Sequence, residues 1–307
     1  MYYLEEETQE AIAARLGISR QKVQRSLKKA RDDGVVEIRI NPSLSDTHTL
    51  AAAVQSRFQL RGVYIAPCHS NPQAQRKSVA QAAARFLESY LQDDMVIAVG
   101  MGRNVGELPG YFNPNRCIKC TFVAAMGGSP KVDLRINPNE ICRSLAVKCG
   151  GQASVLYAPA FVENVEMRNM LVQQETVNHT LGLARHAGCA LVGIGGTDDD
   201  CTLVNSGLFS VDQIRQLRSS MAVGDILGNY FDIYGRVISS DLYGRLIGLT
   251  LENLRHIDTV VTVVSDDEKP AAILGALRAG VVDILVVDSR NAREILNLAE
   301  VYPDERR

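Results

Sequence analysis

Between Arg15 and Arg31 seven basic side chains follow one another, Arg15, Arg20, Lys22, Arg25, Lys28, Lys29 and Arg31, with no acidic residue among them. Such a run suits a polyanion: Lys and Arg neutralise phosphates, and Arg and Gln also pair with base edges in a DNA groove. The neighbouring residues say how the run is displayed. Ala13, Gly17 and Val23 are spaced by four and then six. A small residue at Ala13 lets two helices cross closely, and Gly17 can take the left-handed backbone of a sharp turn. Val23 and Leu27 lie one turn apart, facing back onto Ile12 and Leu16. Ser19 is a natural cap for the second helix. This pattern predicts a helix-turn-helix whose second helix enters a major groove by its N-terminal end. The DNA-contacting set is Ser19, Arg20, Gln21, Lys22, Gln24, Arg25, Lys28 and Lys29. Of these, Arg20, Gln21 and Gln24 are assigned to base edges, and Lys22, Arg25, Lys28 and Lys29 to phosphates. After Gly34, the alternation Val35-Val36-Glu37-Ile38-Arg39-Ile40 reads as a strand, either a small wing or a plain connecting strand.

A second chemistry is written in glycines that follow apolar runs. Gly100-Met101-Gly102-Arg103-Asn104 comes after Val96–Val99, Met126-Gly127-Gly128-Ser129 after Thr121–Ala125, and Gly195-Gly196-Thr197 with Asp198-Asp199-Asp200 after Ala190–Ile194. Bare backbone N–H groups at strand ends can cradle an anion or a sugar. Three such loops in one sheet point to a ligand cleft. Asp225 in Ala222-Val223-Gly224-Asp225 and Asp232 in Phe231-Asp232 can accept hydroxyl hydrogen bonds, although turn carboxylates look the same in sequence. Lys269, opening a helix, can pair with a phosphate as a point charge.

Other chemistries find less support. Cys117 and Cys120 form one CxxC, but Cys142 and Cys149 are not a second, and no histidine pair is close; buried reduced thiols are the better reading, and no metal is predicted. His179 and His186 stand a heptad apart on one helix, away from every glycine loop, so no general base is placed at a sugar carbonyl. No cofactor is implied.

These groups need elements to hold them. Hydrophobic residues make up 46% of the 307, enough for a sizeable core, and the net charge of −2 makes the basic run a local feature. DNA affinity should then come from the head, in a homodimer or homotetramer that presents paired heads. No apolar run is long enough for a membrane span and no signal peptide is seen, so a cytoplasmic location is expected. The predicted division is a DNA-binding head over 1–42, a linker over 43–60 in which Leu50 to Leu60 could form a helix leading into the body, and an effector domain over 61–307. In that domain, strands at Val63–Ala66, Val96–Val99, Thr121–Ala125, Ser154–Tyr157, Ala190–Ile194, Val260–Val264 and Ile284–Val287 alternate with amphipathic helices. Most of the strands are continuous apolar runs, as expected when helices cover both faces. The fold class is α/β, a doubly wound, mainly parallel sheet with an N-terminal winged helix-turn-helix.

Together these segments resemble the SorC family of sugar-responsive bacterial transcription regulators over nearly the whole chain. The resemblance rests in the head on Thr8-Gln9, Ile12-Ala13, Leu16-Gly17-Ile18-Ser19-Arg20, Val23 and Gly34-Val35-Val36-Glu37-Ile38. In the body it rests on Ile97 to Gly102, Gly127-Gly128, Ala190 to Gly195, Ala222 to Ile226 with Phe231-Asp232, Ile247-Gly248-Leu249, Lys269 to Ile273 and Ala276-Leu277-Arg278. It implies an oligomeric regulator that holds operator DNA under the control of a sugar, polyol or sugar phosphate. It carries ligand positions over to Gly100, Gly102, Asn104, Gly128, Asp225 and Lys269, to which the reading of the loops adds Arg103, Gly127 and Asp232. It also implies a body similar to sugar-phosphate isomerases and deaminases, so an enzyme of that kind is the alternative. Two departures stand out. Family members often carry a glycine pair before the lysine, whereas here Asp266-Asp267-Glu268 precede Lys269; these acids would repel a dianion and predict an effector less anionic than a sugar phosphate. The other departure is at the start: the head of family members usually has a longer first helix, and Met1-Tyr2-Tyr3-Leu4 reads as only its end, as expected of either a truncated chain or a short first helix.

Overall fold

The computed structural model describes residues 1–2, 7–32, 44–129, 133–240, 242–266 and 269–304. The chain divides into two compact units, Met1–Pro42 and Ser43–Arg307.

In the first unit Thr8 caps the helix Gln9–Leu16 by accepting from Ala11 N–H at 3.2 Å, and Gly17 ends it at φ +62°. The Ile18 N–H returns to the Ala13 carbonyl at 3.0 Å, which fixes the sharp turn. Ser19 then accepts from Lys22 N–H at 3.2 Å, opening the helix Arg20–Asp32. Ile12, Ala13 and Val23 are buried, with Met1, Ile18 and Leu27 packed against them. The expectation that Leu16 joins this core fails: it is 52% exposed, and Ile18, delivered by the turn, fills the place beside Val23. The strand expected at Val35–Ile40 lies outside the described residues.

The second unit is built on seven parallel strands, β1 (Gly62–Ala66), β2 (Val96–Val99), β3 (Thr121–Ala124), β4 (Gln152–Ser154), β5 (Cys189–Val192), β9 (Thr259–Val264) and β10 (Ile284–Asp288). They run in the order β1-β10-β9-β5-β2-β3-β4. A separate antiparallel sheet joins β6 (Gly195–Gly196), β7 (Gly224–Ile226) and β8 (Asn229–Phe231). The central strands β2, β5 and β9 are mostly apolar and buried because both faces of the sheet are covered, whereas the edge strand β4, Gln-Ala-Ser, is largely exposed. On β5, Ala190 and Val192 enter one core while Cys189 and Leu191 enter the other. The same alternation holds on β2, with Ala98 on one side and Ile97 and Val99 on the other. The fourth strand comes earlier than the apolar run Ser154–Tyr157 suggested. Pairing of Thr121 with Gln152 sets its register, so the ladder ends at Ser154 and Tyr157 is 78% exposed.

The stretch 43–60, expected as a linker, groups with the second unit, which begins at Ser43. Leu44–Phe58 is a helix that packs against β1 and the Ser289–Val301 helix, with Val54 fully buried. A free linker would leave Val54, Leu50 and Phe58 in water, so apolar burial docks the helix on the body.

After β2 the chain crosses to β3 on one side; after β5 its next strand in the sheet, β9, lies on the other. The carboxyl ends of β2 and β5 therefore flank a topological switch point, where parallel sheets open a crevice.

Candidate effector-binding crevice

Three adjoining chambers occupy this place, and all three are lined by Arg103 and Thr202. The innermost, about 50 Å³, is bounded by Gly102, Arg103, Asn104, Asp225, Lys269 and the Gly193–Gly196 segment. A middle chamber of about 250 Å³ adds Arg76, Asp198, Asp200 and Asp266. An outer cleft of about 570 Å³ runs past Arg76, Glu107, Arg135 and Glu140. The inner space admits a hydroxyl or hydroxymethyl end of a ligand, and the middle chamber a small sugar.

Asp225 is delivered by a tight hairpin. β7 and β8 are joined by Leu227 and Gly228, both at positive φ (54° and 77°), the two-residue turn that suits a twisted hairpin. The Asn229 amide clamps this turn, donating to the carbonyls of Ile226, Leu227 and Leu249 at 2.9, 3.3 and 3.0 Å. The Asp225 carboxylate accepts from Gly228 N–H at 2.7 Å and is 7% exposed. Burial pushes its carboxyl up to about 6, against the opposing pulls of that N–H and of Lys269. On the facing strand Gly195 pairs with Asp225, and a Cβ there would lie 1.9 Å from Asp225 Oδ1. Glycine is thus what lets the carboxylate sit in the crevice wall. Across the hairpin Asp225 pairs with Tyr230, whose buried hydroxyl has no hydrogen-bond partner among the described residues.

Lys269 is buried and donates to the Ile194 carbonyl at 2.7 Å. Its ammonium also meets Asp266 at 3.1 Å. Arg76 reaches the same carboxylate at 3.0 Å and Arg103 at 3.4 Å. Burial disfavours a charge on Asp266, but Lys269, Arg103 and Arg76 outweigh it and hold its carboxyl below the usual range. Asn104 is buried and accepts from the Ser265 hydroxyl at 2.6 Å, tying the end of β2 to the end of β9.

Of the predicted ligand residues, Gly102, Arg103, Asn104, Asp225 and Lys269 come together. Gly100 packs against Leu227, takes the Leu191 carbonyl on its N–H at 2.9 Å, and lines none of the three chambers. Gly127 and Gly128 also stand apart from them. A Cβ at Gly127 would lie 2.3 Å from the Pro159 carbonyl and one at Gly128 2.9 Å from the Asn137 amide, so close backbone packing explains both. Asp232 is a turn carboxylate: it accepts from the N–H groups of Tyr234 and Arg236, both at 2.9 Å, and pairs with the Arg236 guanidinium. Arg76, Thr202 and Asp266 were missed as a set. The first two have no local motif, and Asp266 was visible only as part of an acidic run whose other members, Asp267 and Glu268, lie outside the described residues.

On the second helix of the head Arg20, Gln21, Lys22, Gln24, Arg25, Lys28 and Lys29 are all exposed, as is Ser19 before it. Arg20 forms an exposed ion pair with Glu10 at 2.9 Å, a weak contact that DNA can displace. His179 and His186 line a depression beside Val96, at the opposite end of β2 from the crevice. Cys120 and Cys149 are buried with sulfurs 3.8 Å apart, and burial pushes the Cys120 thiol up to about 12. Among the described residues no three His, Cys, Asp or Glu side chains are placed to hold a metal, and no helix is long and apolar enough to cross a membrane.

A helix-turn-helix in one unit and a switch-point crevice in the other define a DNA-binding protein with a small-molecule domain. Residues 43–297 match the family described as "Putative sugar-binding domain". The chain is 30% identical to the transcriptional regulator LsrR of Enterobacter sp. (strain 638), over 97% of this chain and 91% of that one. The sugar-binding domain of a transcriptional repressor from Vibrio fischeri matches at 37% identity and a TM-score of 0.76, covering 82% of this chain and 99% of that one. The full-length sorbitol operon regulator SorC of Klebsiella pneumoniae shares the fold at a TM-score of 0.78 and 24% identity, covering 96% of this chain and 95% of that one. The chain belongs to the SorC/DeoR-like family of sugar-binding transcriptional regulators. It is a ligand-responsive regulator, and the isomerase or deaminase reading is set aside.

Proposed function

We propose that the head over 1–42 grips operator DNA through Ser19, Arg20, Gln21, Lys22, Gln24, Arg25, Lys28 and Lys29, and that a sugar, polyol or sugar phosphate in the crevice controls that grip. The observation that carries this reading is the buried Asp225 carboxylate facing Lys269 and Asn104 at the closed end of the crevice. A carboxylate in the crevice wall is an acceptor for ligand hydroxyls, and Lys269 and the Arg103 guanidinium are donors to ligand oxygens. An effector that binds one conformation or assembly better shifts operator affinity, and the operator shifts effector affinity by the same factor. Paired heads are needed for paired half-sites, so the working form is a homodimer or homotetramer in the cytoplasm.

Anisotropy of a labelled duplex, selected by the protein from a random pool, tests this against a panel of sugars, polyols and their phosphates. A ligand of this class should shift DNA affinity, and Asp225→Ala should abolish the shift. A shift of equal size in Asp225→Ala would place the effector elsewhere.

A further inference from the structure

We propose that Asp266 is a built-in occupant of the anion subsite of the crevice, and that it commits this chain to an unphosphorylated sugar or polyol. The inference rests on the effector reading above and names its ligand class more narrowly.

Three cations from three separate elements converge on one carboxylate. Arg76 belongs to the Pro72–Tyr90 helix, Arg103 opens the short helix after β2, and Lys269 precedes the Pro270–Arg278 helix. Their nitrogens lie 3.0, 3.4 and 3.1 Å from Asp266 oxygens. Cations converging from different elements next to an open chamber would, without Asp266, form a strong site for a tetrahedral dianion. Asp266 already fills it.

The backbone shows that this placement is held against resistance. Asp266 has φ +95°, where L side chains are disfavoured and glycine is at ease. Strain of this kind persists only where surrounding contacts over-determine it. Here the three ion pairs fix the side chain, and Asn291 Nδ2 fixes the main chain by donating to the Asp266 carbonyl at 3.1 Å.

The charge balance gives the same answer. Among the described residues the middle chamber is lined by Arg76, Arg103 and Lys269 and by Asp198, Asp200 and Asp266, so cations and carboxylates already match. A phosphate that reached the same cations would come within about 4 Å of the Asp266 carboxylate, where like charges near a protein surface reduce affinity on the order of 100-fold or more. A hydroxyl has no such penalty. It donates to Asp266 or Asp225 and accepts from Arg103, whose Nε is buried with no partner among the described residues.

Inorganic phosphate is the probe, titrated by calorimetry into the full chain at constant ionic strength, with sulfate as a second anion. Wild type should show no saturable binding at millimolar phosphate. Asp266→Gly removes the carboxylate and suits the backbone, and Asp266→Asn keeps shape without charge; both should bind phosphate on the order of 100-fold more tightly than wild type. Arg76→Ala in the Asp266→Gly background should lose that gain, which locates it in the crevice. Equal phosphate binding by wild type and Asp266→Gly, or no gain in either variant, overturns the proposal. The titration uses no effector, so it separates two failures. Phosphate binding gained in Asp266→Gly with no sugar or polyol acting on operator affinity would fault the effector reading alone. Operator release by a sugar phosphate in preference to its free sugar would overturn the role of Asp266.

Discussion

The head and the crevice place their chemistry in the chain in opposite ways. The set proposed to contact DNA lies within Ser19–Lys29, on one helix and the serine that precedes it, with every member exposed. The crevice gathers Arg76, Arg103, Asp225, Asp266 and Lys269 from widely separated parts of the chain and buries much of what it gathers. A contiguous site depends on a local turn and a small core, and an assembled one on the packing of the whole sheet. Changes should therefore act differently in the two regions: in the head through a few contacts, in the crevice through geometry.

The largest effect is expected at Gly195. A Cβ there would meet Asp225 Oδ1 at 1.9 Å, so Gly195→Ala must push the carboxylate aside. A cost of about 1–3 kcal/mol in stability is expected, together with loss of the effector response. Unchanged melting and an intact response would show that the hairpin gives way freely.

Asp225 supplies the next contrast, because its burial in the crevice wall moves its titration. Its native carboxyl stands at about 6, above the 3.8 of an unperturbed side chain. The native state therefore holds this proton more tightly than the unfolded chain. The penalty is absent below about pH 4, grows between about 4 and 6, and is complete above that, on the order of 3 kcal/mol. Compared with Asp225→Asn by denaturant unfolding, wild type should lose relative stability as pH rises through this window. A pH-independent difference would mean that burial does not govern the group.

In the head the expected changes are smaller and separable. Lys28→Ala should weaken binding to all DNA sequences and lower the salt slope by about one unit, whereas Gln24→Ala should relax sequence preference at one position. A uniform loss from Gln24→Ala would remove that residue from base reading.

Smallest of all is Asp232→Ala. Its carboxylate accepts two backbone N–H groups of a turn, so about 1 kcal/mol of stability should be lost while effector affinity holds. A lost effector response would return Asp232 to the site.

The same contrast explains what was legible in the sequence. Gly17, Ser19 and Val23 act over a few residues, so their spacing alone placed the turn, the cap and the core. The main strands were legible because burial on both faces leaves a plain apolar run. The β6-β7-β8 sheet was not, because its strands are two or three residues long and its turn is Leu227-Gly228 rather than a polar pair. Glycines at strand ends gave a mixed signal: at Gly102 and Gly195 they open the crevice, whereas at Gly127 and Gly128 they admit the Pro159 carbonyl and the Asn137 amide. Sequence cannot tell a glycine that admits a ligand from one that admits the protein's own backbone. Arg76 was illegible for a related reason, since only the tertiary fold brings its helix to Asp266.

Operator binding measured by anisotropy at fixed salt, against matched pairs of free and phosphorylated sugars and polyols, decides between a hydroxyl-lined and a phosphate-binding crevice. A free sugar or polyol should shift the affinity, its phosphate should not, and Asp225→Ala should remove the shift. A phosphorylated member acting at lower concentration than its free partner, or a full response in Asp225→Ala, would contradict the hydroxyl-lined reading.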